Sequence, residues 1–254
     1  MFMNDNTQRH LDKEKLLLRW LLLFDYTNRK IISDLFKVSD GALSSFYRTM
    51  KKRNYISIEA DPISIANNKI ILLTKDGFER GATLNLDLDL HHLTHKRSIP
   101  PTMVRHQLML QKYLASLGLD PSKLVSDKLI RKRVKDPLFI PDAIVLIDGK
   151  RAAVEMELTR KKPARIFYKY QQQINAMRPK NNGQKPLFSK VFFVFDNQSL
   201  LETYRRHFQD ERWPYVVIEN SKLYVKETAE SELCFVPQEA DRINFNFVLT
   251  DSKF

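Results

Sequence analysis

The stretch Pro141–Lys162, PDAIVLIDGKRAAVEMELTRKK, decides how the C-terminal two-thirds of the chain folds. Ala143 to Ile147 is apolar throughout, as a central strand should be. Asp148-Gly149 is a strong two-residue hairpin signal, and Arg151 to Leu158 reads as the return strand. Glu155 and Glu157 are two residues apart, so they share one face, while Val154, Met156 and Leu158 take the other and enter the core. The turn sets Ile147 against Lys150, and Asp142 then falls opposite Glu155 unless a bulge shifts the register. Three carboxylates this close raise one another's pKa values unless a cation sits among them. Oxygen-only ligands select a hard ion, so Asp142, Glu155 and Glu157 read as a site for Mg²⁺ or Mn²⁺. The bland alternative is an acidic edge strand facing water. Core strands flank the segment in sequence and argue against it.

Working outward, a helix is expected from Thr102 to about Leu117, ended by Gly118. Lys128 to Val134 alternates enough to predict a strand. Pro163 is placed to open a helix running to about Met177. Val191 to Phe195 predicts a buried strand, Leu200 to Phe208 a helix, and Tyr215 to Ile218 a further strand. Strands joined through helices are usually parallel neighbours with right-handed crossovers. The expected result is one mixed sheet flanked by helices.

The N-terminal third reads differently. Apolar residues at helical spacing from Asp12 to Phe24 predict a first helix. Thr27 is a candidate cap for a second helix, and Ser39 for a third. The third would bury Leu43, Phe46, Tyr47 and Met50 and leave Ser44, Ser45, Arg48, Lys51, Lys52 and Arg53 open. Strands at Tyr55–Ile58 and Lys69–Leu73 follow, and ILLTKDGFERG closes the unit with a strand and a short helix. Three helices and then a β-hairpin is the winged helix-turn-helix order. The fold class expected is therefore α/β, an N-terminal winged helix (residues 1–95) followed by a larger mixed-sheet domain (96–254). The third helix would enter a major groove, with Arg48, Lys51, Lys52 and Arg53 meeting phosphates. The alternative is a solvated basic face. His91, His92 and His95 lie in the expected linker, without a carboxylate or Cys at ligand spacing.

A formal net charge of +12 over 254 residues points to a polyanionic partner. The cluster Lys128, Arg131, Lys132, Arg133 and Lys135 would line the approach to the acidic face. Cys234 is the only cysteine, which excludes an intrachain disulfide and a Cys-based zinc site. No segment has the length of a membrane span, so no membrane insertion and a cytoplasmic location are expected.

Pro141-Asp142 followed by Glu155-Met156-Glu157 after a hairpin resembles the PD-(D/E)xK nucleases, the restriction-endonuclease-like superfamily. Glu157 replaces the usual lysine two residues after the second acid. That departure, with the block ExELTRK, resembles the replication-relaxation family, and within it the MobC-type relaxases of mobilisable plasmids. The resemblance covers about Asp12 to Val225. It implies a restriction-endonuclease-like core in which Asp142 and Glu155 hold the metal ion beside the carbonyl of Met156. Glu157 would ligate the ion or act as a base, and Lys161 would stabilise the phosphorane or orient the attacking group. Arg160 or Lys162 could substitute for Lys161, or all three could simply grip phosphates. His106 lies on the helix that often supplies a polar residue to such sites. Tyr168 or Tyr170 is either a covalent nucleophile or a packing group.

The function implied is a metal-dependent, site- and strand-specific DNA nicking endonuclease, a relaxase that starts conjugative plasmid mobilisation at an origin of transfer. Its partners would be a relaxosome accessory protein and a coupling protein. Two alternatives stand beside it: a plasmid DNA-binding regulator or replication accessory with a degenerate nuclease core, and a transposase-type endonuclease subunit.

Overall fold

A computed structural model describes residues 5–61, 69–88, 101–133, 140–179, 185–220, 222–232 and 234–250. The protein is a mixed α/β chain whose contacts divide it into two compact units, Met1–Lys132 and Arg133–Lys253. The sequence reading had set the boundary near residue 95. His91, His92 and His95 lie outside the described residues. No helix among the described residues is long and apolar enough to cross a membrane.

The first unit opens with α1 (Asp5–Phe24), strand β1 (Tyr26–Asn28) and α2 (Arg29–Phe36). A 3-10 turn at Gly41–Leu43 leads into α3 (Ser44–Lys52), then β2 (Ile56–Ala60), β3 (Lys69–Leu73) and α4 (Lys75–Leu84). The strands form one antiparallel sheet in the order β1-β3-β2. Asn28, not Thr27, caps α2: its side chain accepts from the amide of Ile31 at 2.9 Å. Thr27 is withdrawn into β1, where its backbone faces Ile71. Three residues are too few to show a strand period, so β1 escaped the sequence reading.

Thr74 caps α4 by accepting from the amide of Gly77. Gly77 is required by close approach, because a Cβ there would lie 1.9 Å from the carbonyl oxygen of Tyr55. Glu14, only 1% exposed, receives Arg53 at 2.8 Å and Arg80 at 2.7 Å, which ties α1 to the end of α3 and to α4.

Helix α5 (Pro101–Ser116) belongs with this unit. Its buried Gln111 accepts from the indole of Trp20 and donates to the carbonyl of Tyr26, both at 2.8 Å. Gly118, at φ +63°, follows the helix as expected. Strand β4 (Leu124–Ser126) and α6 (Asp127–Arg133) complete the segment. The predicted strand at Lys128–Val134 is thus corrected to a helix. Leu129 and Ile130 are adjacent and both buried, which a strand with one solvated face cannot provide. Arg131 also meets Asp127 at i,i+4.

The second unit is built on β5 (Ala143–Ile147), β6 (Lys150–Glu157), α7 (Pro163–Met177), β7 (Lys190–Phe195) and α8 (Gln198–Gln209). A separate hairpin of β8 (Tyr215–Glu219) and β9 (Lys222–Glu227) follows, then the single-turn α9 (Glu239–Arg242) and β10 (Phe245–Leu249). Within this unit the sheet runs β10-β7-β6-β5, with β5 antiparallel to β6 and the others parallel. Asp148 and Gly149 both have positive φ (49° and 72°), the type I′ turn that their sequence predicts. Ile147 pairs with Lys150 as the turn requires.

The expected sheet position of Tyr215–Ile218 is corrected: among the described residues β8 pairs only with β9. Asn220, at φ +48°, allows this strand a nearby partner in sequence, and the local closure displaces a long crossover. The second parallel neighbour of β7, after β6, is β10 instead, which lays Phe245 and Phe247 beside Phe193. Helices α7 and α8 pack on that face. Tyr170, Tyr204 and Phe208 join these rings in an aromatic core.

Candidate functional site: a buried acid–lysine cluster and a basic helical face

Asp142 immediately precedes β5, and its carboxylate accepts the amide of Met156 at 2.8 Å. This bond fixes the register anticipated from the turn, and Asp142 sits across from Glu155. Glu155 and Glu157 project from β6 beneath α7 and are each 1% exposed. Two ionised carboxylates buried side by side would be prohibitive without partners. The partners come from the chain itself.

The ammonium of Lys169, on α7, lies 2.7 Å from Glu155 Oε2 and 2.5 Å from Glu157 Oε1. Gln173, one turn further along α7, donates to Glu155 Oε1 at 2.9 Å. Lys161 meets Glu157 Oε2 at 2.6 Å, and the hydroxyl of Tyr204, from α8, donates to the same oxygen at 3.0 Å. All four glutamate oxygens are therefore engaged. Lys161 reaches the site because β6 ends at Glu157 and the chain turns before α7. Arg160 and Lys162 stay exposed.

The electrostatics follow from burial and charge. Burial, the largest influence, pushes Glu155 up to about 8; Asp142 and Glu157 add to this, and Lys169 only partly offsets it. Burial also opposes ionisation of Glu157, but Lys169 and Lys161 outweigh it and hold its carboxyl below the usual value. Lys169 is held well above the ordinary lysine value, the three carboxylates overcoming its desolvation. Burial and the neighbouring Lys169 lower Lys161. Among the described residues, the ammonium groups of Lys169 and Lys161 meet these acids. Formal charge sums to minus one if all three acids ionise and to zero if Glu155 keeps its proton.

Among the described residues, no three His, Cys, Asp or Glu side chains form a group that could hold a metal ion. The chemistry of Asp142, Glu155 and Glu157 as oxygen donors still suits a hard ion. Binding one would require exchange with a bond now made to Lys169, Lys161, Gln173 or Tyr204.

The remaining site residues distribute as follows. His106 is half-buried on α5, in the first unit. Tyr170 is fully buried and donates to the carbonyl of Tyr204 at 2.8 Å, as a packing group does. Arg48, Lys51 and Lys52 are exposed on α3, as expected of a basic helical face. Arg53 at the helix end is committed to Glu14. Arg131 is exposed on α6, Lys128 is paired with Asp25 at 2.7 Å, and the side chains of Lys132 and Arg133, like Lys135, lie outside the described residues.

The sequence sets Lys169 and Gln171 to Gln173 on the helix after the acids, towards the groove, but marks none of them as part of the cluster, and it gives Tyr204 no role. The available signal was a pair of polar residues, Lys169 and Gln173, four apart on a helix that otherwise buries Ile166, Phe167, Tyr170, Gln171 and Ile174. No protein-family model, no curated protein and no solved structure matches the chain.

Proposed function

We propose that the chain is a metal-dependent, site- and strand-specific DNA nicking endonuclease of relaxase type that initiates plasmid mobilisation. The observation that carries the proposal is the acid cluster itself. Asp142, Glu155 and Glu157 converge from neighbouring strands, with Lys161 and Lys169 against them. The sheet with parallel β6, β7 and β10 and antiparallel β5, overlaid by α7, is consistent with a restriction-endonuclease-like core. The order α1-β1-α2-α3-β2-β3-α4 is consistent with a winged helix, in which α3 would face the DNA major groove.

Asp142 and Glu155 would hold Mg²⁺ or Mn²⁺, an ion that supplies Lewis-acid polarisation of a phosphate and neutralises developing charge. Glu157 keeps Lys161 beside the acids, and the Lys161 ammonium would face phosphate oxygens. Lys169 positions both glutamates. DNA carrying an origin of transfer is the substrate of this reading, and a relaxosome accessory protein and a coupling protein are its partners.

The test is incubation of a supercoiled origin-bearing plasmid with Mg²⁺ or Mn²⁺. Open circles are expected, and Glu155→Ala should abolish them while leaving DNA binding intact. A specific observation favours a second reading, a DNA-binding regulator whose nuclease core is inactive: every oxygen of Glu155 and Glu157 already has an internal partner. Absence of nicking with both metals, together with no heat of Mn²⁺ binding by calorimetry, would select that reading.

A further inference from the structure

Between the start of α1 and the outer side of α3 lies an open groove of about 340 Å³. Arg9, His10 and Lys13 line it from α1, and Ser45, Phe46 and Thr49 from α3. The lining holds three basic residues and two hydroxyl residues, Ser45 and Thr49, the latter donating to the carbonyl of Ser45 at 3.1 Å, and no lining residue is acidic. The His10 ring packs edge-on against Phe46 with centroids 5.4 Å apart. Its Nε2 is screened from solvent and has no hydrogen-bond partner among the described residues. A buried polar atom left unpaired costs about 1–3 kcal/mol, so such a group calls for an explanation.

The lining chooses the ligand class. Positive side chains with N–H and O–H donors suit an anion with several acceptor oxygens, and phosphate is the common one. The groove also continues onto the basic face of α3. At about 100° per residue, Ser45, Thr49 and Lys52 fall within one narrow stripe of the helix, with Arg48 beside it and Lys51 beyond. Groove and exposed lysines therefore form one band rather than two patches.

We infer that this groove is a clamp for the backbone of a nucleic acid, in which Arg9, His10 and Lys13 grip a phosphodiester flanking the segment that α3 faces. The clamp rests on the reading of the first unit as a DNA-binding module. Phosphate contacts of this kind set the position of a protein on the duplex and carry no sequence information.

The experiment is titration of a labelled 25-base-pair duplex with the full chain, followed by anisotropy between 50 and 300 mM NaCl. Each phosphate contact contributes about 0.9 to the slope of log affinity against log salt. Arg9→Ala/Lys13→Ala should flatten that slope by about 1.8 and weaken binding about 60-fold at 0.1 M salt, equally for unrelated sequences. Neither side chain is in the core, so the thermal midpoint should hold. His10→Phe keeps the contact with Phe46 and removes the ring nitrogens; it should weaken binding, and His10→Gln should restore part of the loss. A wild-type protein that binds DNA with a slope the double variant leaves unchanged overturns the clamp and spares the DNA reading. A wild-type protein that binds no DNA, double- or single-stranded, sinks both. Displacement of DNA by micromolar inorganic phosphate or a mononucleotide overturns the backbone assignment in favour of a small-molecule anion site.

Discussion

Replacing Lys169 with methionine tests whether an internal ammonium holds the acid cluster together. Methionine has a similar length and no charge. The side chain is 14% exposed, and the carboxylates it bridges are 1–2% exposed. Removing one partner from a buried ion pair costs about 3–5 kcal/mol, because the remaining charge is stranded. For a domain of this size each kcal/mol moves the thermal midpoint by about 2–4 °C. Lys169→Met should therefore lower the midpoint by about 6–20 °C at pH 8, read by circular dichroism or scanning fluorimetry.

The effect must also depend on pH. Glu155 is already raised from 4.5 to about 8 with Lys169 present, and loss of the ammonium raises it further. An acid whose folded pKa is raised binds its proton more tightly when folded, so stability falls as pH climbs above the unfolded value near 4.5. The variant should accordingly recover much of its loss at pH 5. Wild-type Glu157 has the opposite sign: its lowered pKa gives stability above pH 4.5 that is lost as pH falls through the folded value. Glu155→Gln in the Lys169→Met background should restore several degrees at pH 8, since the stranded charge is gone. A midpoint that drops by less than about 2 °C, or by the same amount at pH 5 and pH 8, would refute the idea that Lys169 is the compensating charge.

Two further outcomes follow from the packing. Gly77→Ala should destabilise the first unit by at least about 2 kcal/mol, measured by urea denaturation, because the new methyl meets the backbone carbonyl of Tyr55, which cannot rotate away. Tyr170→Phe should cost about 1 kcal/mol for the lost hydrogen bond to Tyr204 and leave plasmid nicking and any protein–DNA adduct unchanged; loss of an adduct would reinstate the tyrosine as nucleophile.

What could be read from sequence was whatever chemistry is local. The β5–β6 hairpin was legible because Asp148-Gly149 sets its own register, and that register alone brought Asp142 opposite Glu155. Pro163 marked the first turn of α7 for the same kind of reason. That a positive group belongs among the acids was also legible; that Lys169 meets them was not. Lys169 lies twelve residues beyond Glu157, and only the packing of α7 against β6 brings the two together. Spacing within one element says nothing about that approach. The strand predicted at Lys128–Val134 failed because a few alternating residues cannot distinguish period 2 from a short helix with two adjacent buried positions. For the tail from Cys234 to Phe254 the sequence left a sheet edge strand and a partner-binding arm both open, and β10 is an edge strand. Phe245, Phe247 and Leu249 alternate as a strand should, but no local signal names β7, more than fifty residues earlier, as the partner.

That partnership has a consequence for synthesis. As the chain leaves the ribosome, β7 can pair with β6 at once, yet its other side stays bare until Phe245–Leu249 has emerged. During that interval Val191 to Phe195 presents an unpaired, aromatic-rich edge, the kind of surface that recruits foreign strands. The second unit should therefore be at its most chaperone-dependent while ribosomes are translating the residues between α8 and β10.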